Sequence, residues 1–94
     1  MANNMRVFDY STPRVVEDEL RKIVKLSTGR TYVQSCRLSH LPEDVNHFLV
    51  VGKSTYGYSV WHYDCVKKSL YWGHYDLPYY AIADYIANKL NGRE

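Results

Sequence analysis

The chain has 94 residues, of which 46% are apolar and 23% charged, and a formal net charge of +2. That length supports one domain, and the composition is that of a folded globule rather than a disordered segment. Twelve basic against ten acidic side chains exert a weaker long-range pull on polyanions than a dedicated nucleic-acid binder does.

Tyrosine aside, the longest purely apolar stretch runs only from Phe48 to Val51, far short of the roughly 20 residues that a membrane-spanning helix needs. Met1 to Arg6 lacks the apolar core of a signal peptide. The expectation is one cytoplasmic domain over residues 1–94, with no membrane partner. In such a chain Cys36 and Cys65 read as reduced thiols in or near the core rather than as a disulfide.

In chain order, Met5, Val7 and Asp9 alternate with Arg6, Phe8 and Tyr10, a pattern that predicts a short opening strand. Thr12 can cap a helix with Pro13 at its first position. Val16, Leu20, Ile23 and Val24 then paint one apolar stripe. Glu17, Asp18 and Glu19 come early in this helix and Arg21, Lys22 and Lys25 late, as the helix dipole favours, and Glu17–Arg21 and Asp18–Lys22 have ion-pair spacing. Gly29 ends the helix in a left-handed conformation.

Thr31 to Leu38 is rich in strand formers, Ser39 to Asn46 reads as a polar connection, and His47 to Lys53 as the most buried strand. Tyr56 to Tyr63 and Lys68 to Tyr75 flank a turn at Asp64-Cys65-Val66-Lys67 and predict a hairpin. With Tyr63 opposite Lys68, Trp61 meets Leu70 and Trp72 meets Ser59 on one face, while Tyr58, Val60, His62 and Tyr71 share the other. Asp76 then caps a second helix in which Leu77, Pro78, Ile82, Tyr85, Ile86, Lys89 and Leu90 follow a helical period, closed by Gly92. The fold class is therefore α+β, an antiparallel sheet of three to five strands with an N-terminal and a C-terminal helix packed on it.

Motifs with chemistry are weak. Gly52-Lys53-Ser54-Thr55 looks like the tail of a phosphate loop, but His47 stands where that loop needs its first glycine. His62 with Cys65 and Cys36 with His40 are zinc-ligand types, yet they do not form the two tight pairs of a structural zinc site. No glycine-flanked elbow surrounds either cysteine, and the carboxylates sit in polar surroundings that do not tune a pKa. The expectation is a non-enzyme without metal or small-molecule cofactor.

The unusual feature is aromatic. Nine of the fourteen aromatic residues, seven of them tyrosines, fall between Tyr56 and Tyr80, on predicted strands and at the start of the second helix. A tyrosine carries a large ring and a hydroxyl that needs a partner, which suits a half-buried or contacted surface.

The order helix, antiparallel strands, helix is similar to that of double-stranded-RNA-binding domains. That family opens its last helix with phosphate-holding lysines, and this chain has Asp76-Leu77-Pro78-Tyr79-Tyr80 there. The run HFLVVGKSTYGYSVWHYD, followed by YYAIADYIANKL, resembles the central strands and last helix of phosphotyrosine-binding Src-homology domains, with Val51 in the place of the arginine that grips the phosphate.

The functional expectation is a non-catalytic protein-binding module, of the kind found among phage or mobile-element accessory proteins that inhibit or modulate a host complex. Tyr56, Tyr58, Trp61, Tyr71 and Trp72 are its expected anchors, and Lys67 and Lys68 tune encounter at the hairpin tip. The partner is another protein or a second copy of the chain. The alternative is a nucleic-acid-binding domain that stacks bases on the same rings.

Overall fold

The computed structural model describes residues 10–38 and 46–91. The elements are α1 (Arg14–Thr28), β1 (Thr31–Arg37), β2 (His47–Ser54), β3 (Gly57–Asp64), β4 (Ser69–Leu77) and α2 (Tyr79–Leu90). The strands form an antiparallel meander in the order β1-β2-β3-β4, so the expected α+β fold is present. Met5 to Asp9 of the expected opening strand, the Gly92 cap and most of the Ser39–Asn46 connection lie outside the described residues, and Tyr10 is not in a strand.

Alternation along the two central strands divides the side chains between two helices. Phe48 and Val50 of β2, with Trp61 and Tyr63 of β3, join Tyr32 of β1 and Leu20 and Val24 of α1 in one buried cluster. Their neighbours Val51 and Val60 pack with Ile82 of α2, flanked by Tyr58, Leu77, Tyr85 and Ile86. α1 and α2 therefore sit on opposite faces of the sheet, and each face has its own small core.

α1 follows its predicted stripe, with Leu20 and Val24 fully buried and Val16 and Ile23 at the margin. Gly29 closes it at φ 75° with its N–H bonded to Lys25 O, and the Glu17–Arg21 pair is present at 3.8 Å. The capping assignments need correction. Pro13, not Thr12, is the N-cap, and the Thr12 hydroxyl bonds instead to the Ser35 hydroxyl at 2.6 Å. Asp76 does not start α2. It lies inside β4 and pairs with Arg30 at 3.1 Å, while Pro78 is the N-cap of α2.

The hairpin register also differs from the expected one. Asp64 pairs with Ser69 and Tyr63 with Leu70, so Leu70 does not face Trp61. Further along, two residues of β3 span three of β4 twice, between Tyr58 and Val60 and again between Val60 and His62. Each interval holds a bulge, with Asp76 at φ 59° and Trp72 at φ 55°. An extra residue turns two successive side chains to the same side. This carries Trp72 to the α2 face, away from Ser59 and Trp61.

Candidate functional site

β4 is an edge strand, and the backbone is unusual both in the turn that leads into it and within it. Lys68, Trp72 and Asp76 all have left-handed φ, at 54°, 55° and 59°, and they recur every fourth residue. For an L-residue with a Cβ this conformation costs about 1–2 kcal/mol, so each position needs a compensating contact or a reason. Lys68 has one in Glu19, whose carboxylate takes its ammonium at 2.7 Å. Asp76 has one in Arg30, and its N–H also reaches the Ser59 hydroxyl at 3.3 Å. Among the described residues the Trp72 side chain is met by rings, and 70% of it is exposed.

Those ring contacts define a corner of the α2 face. The Trp72 indole stands edge-on to the Tyr71 ring at 5.0 Å and to the His62 ring at 5.1 Å. His62 is only 3% exposed and forms the floor. Its Nε2 lies 2.7 Å from the Tyr85 hydroxyl of α2, and its ring lies 5.5 Å from Tyr71. His74 closes the corner against Tyr85 at 4.9 Å. Burial, followed by the charge of Lys89 and the neighbouring His74 and His47, holds the His62 imidazole below its ordinary pKa, so it is neutral at physiological pH. Burial likewise raises the Tyr71 phenol.

Beside Tyr71 a recess is lined by His47, Asp64, Lys67 and Ser69. Asp64 is engaged there. Its Oδ1 accepts the N–H groups of Val66 and Lys67 at 2.8 and 3.2 Å, and its Oδ2 lies 3.5 Å from His47 Nε2. The N–H of Lys67, joined by that of Val66 and opposed by burial, holds the Asp64 carboxyl below its ordinary pKa.

Of the expected anchors, the fold brings Tyr71 and Trp72 together, with Lys67 lining the adjoining recess. The others go elsewhere. Trp61 is 1% exposed and belongs to the core beneath α1, its indole N–H donated to the Tyr75 hydroxyl at 3.0 Å. Tyr58 is half-buried against Tyr79 at 5.1 Å, with the Lys53 ammonium 5.5 Å above its ring. Tyr56 is exposed on the β2–β3 turn, and Lys68 is tied to Glu19. Tyr58 pairs with Leu77 whereas His62 pairs with Tyr71. At about 3.3 Å per residue the two groups are therefore roughly 13 Å apart along β3.

His62, His74 and Tyr85 were not among the expected binding residues. The signal for His62 was its shared face with Tyr58 and Tyr71, but the docking of Tyr85 over it depends on where α2 lies. The other chemical motifs are dispersed. His62 points to the α2 face and Cys65 packs toward the α1 cluster. Cys36 and Cys65 are both free, with thiol pKa values raised chiefly by burial. Gly52 lies within β2, and Val51 is fully buried against α2. Among the described residues no group of three or more His, Cys, Asp or Glu side chains is placed to hold a metal.

Compared with protein-family models, curated proteins and solved structures, the chain matches none.

Proposed function

We propose that this chain is a non-catalytic protein-binding module whose contact surface is the β4 corner at Tyr71 and Trp72. The observation that supports this reading is the cost of Trp72. Strained backbone is kept where surrounding structure or function requires it, and a mostly exposed indole contributes little to a core. Large aromatic side chains of this kind concentrate energy at protein interfaces. The bulges of β4 disrupt its outer edge for pairing with another strand, and β1 carries its own bulge between Tyr32 and Gln34. Contact through side chains on the face is therefore favoured over strand addition.

The reactive groups nearby support a binding rather than a catalytic reading. His62 is enclosed and shared with Tyr85, and the two thiols are pushed away from the thiolate form. Nucleic-acid binding is less well supported, since Lys68 and Arg30 are taken by Glu19 and Asp76.

The test compares proteins captured by the parent chain, by Trp72→Gly and by Leu26→Ala, an exposed position on α1. A protein partner, or the chain itself as an oligomer, should be retained by the parent and by Leu26→Ala. It should be weakened on the order of thirtyfold by Trp72→Gly, the effect of losing one interface hot spot. Identical capture by all three overturns the proposal, and so does capture limited to nucleic acid with a steep salt dependence.

A further inference from the structure

The α2 layer is the thinner half of the molecule. α1 buries Leu20 and Val24 completely, whereas Ile82 is the one fully buried residue of α2, resting on Val51 and Val60. The C-terminal half of α2 stands over a recess of about 200 Å³ bordered by Cys36, Leu49, Val51, Ile86 and Leu90. Toward β3 and β4, the Tyr85 hydroxyl of the same helix lies 2.7 Å from the enclosed His62 imidazole.

We propose that α2 is an acid-released latch, in which a proton taken up by His62 favours a state with the helix lifted from the sheet. The surroundings of this ring suit it only when neutral. From α2 it is faced by Tyr85 and Lys89, from β4 by Tyr71, Trp72 and His74, and from β2 by His47. Two residues along its own strand, Asp64 is a carboxylate already held by two backbone N–H groups and by His47. A cation on His62 would therefore be buried beside Lys89 and close to two further histidines, with no carboxylate of its own among the described residues. Lifting α2 removes Lys89 and admits water to the ring.

The sign follows from linkage. His62 has a depressed pKa when docked and approaches the ordinary value of 6.5 when α2 leaves. In the interval between those values the lifted state binds more protons. Docking is thus at full strength above the ordinary value and weakens as pH falls toward the depressed one. Lifting also uncovers Val51, Val60 and the recess containing Cys36. This inference does not depend on the β4 corner having a binding partner.

Cys36 gives the readout. In a Cys65→Ser protein, the labelling rate of Cys36 by a pyridyl disulfide is divided by the rate for the urea-unfolded chain at the same pH, which removes the titration of the thiol itself. The ratio should rise several-fold between about pH 7.5 and pH 5.5, across the ordinary histidine range. The rise should vanish in His62→Gln and persist in His74→Gln. A flat ratio in the parent, or an unchanged rise in His62→Gln, overturns the latch.

Amide hydrogen exchange on the parent protein covers the case in which His62→Gln fails to fold. Acidification should reduce the protection of Tyr79–Leu90, corrected for intrinsic rates, while Arg14–Thr28 stays protected. Equal loss in both helices means global unfolding and also overturns the proposal.

Discussion

Trp61 and Trp72 are the only tryptophans, and they have opposite fates. Trp61 lies across Gly52, where an added Cβ would fall 2.8 Å from its ring, and beside Gly73, where an added Cβ would again fall 2.8 Å from it and 2.7 Å from the Tyr75 hydroxyl. Gly73→Ala should therefore destabilise the fold by about 1–3 kcal/mol, the usual cost of overpacking a tight site, measurable by urea unfolding. A loss below about 0.5 kcal/mol would show that Trp61 and Tyr75 can move aside. Alternation along β3 was legible in the sequence and grouped Tyr58, Val60 and His62 on one face, which Tyr71 of β4 shares. The face of Trp72 was not legible, because it depends on a left-handed bulge at a residue with no glycine-like signal. Trp61 was expected as an anchor because an aromatic strand can be open on either face; α1 covers the one it points to.

At the scale of elements, α1 is fastened to the β3–β4 hairpin by one carboxylate. Glu19 accepts the Tyr63 hydroxyl at 2.7 Å and the Lys68 ammonium at 2.7 Å, and these bonds, Lys68 first, hold its pKa below the ordinary 4.5. A depressed carboxylate contributes stability above its ordinary pKa and loses it as pH falls through the folded one. The melting temperature of the parent should therefore drop as pH is lowered through about 4.5, with a smaller drop in Glu19→Gln. Equal drops would mean that the tie is too solvated to matter, as many exposed ion pairs are. This window opens near 4.5 whereas that of His62 opens near 6.5, so the His62 response begins first as pH falls. α1 was legible because its apolar stripe, charge gradient and terminal glycine all agree. The start of α2 was not. Asp76 has the chemistry of a cap, yet the pairing of β4 with β3 continues through Leu77 and Arg30 captures the Asp76 carboxylate.

At the scale of the molecule, the meander places a helix on each face, although no feature of the sequence assigned α1 and α2 to opposite sides. Two separate cores share one set of strands, so their stability is coupled through β2 and β3. Around neutral pH, thermal unfolding should follow one transition, with tyrosine ellipticity and tryptophan fluorescence coinciding, as small single domains do. Non-coincident curves at that pH would mean that the α2 layer melts separately even without acid.

The proposed role of Trp72 requires that its indole be dispensable for folding, and the unfolding free energy of Trp72→Gly tests this most directly, with Trp61 left as the sole fluorescent indole. Glycine relieves about 1–2 kcal/mol of left-handed strain, while the lost ring contacts cost a similar amount. The variant should therefore lie within about 1 kcal/mol of the parent with the same denaturant slope. A loss of about 3 kcal/mol or more, the size expected for truncating a core tryptophan, would contradict the account by making Trp72 a structural residue.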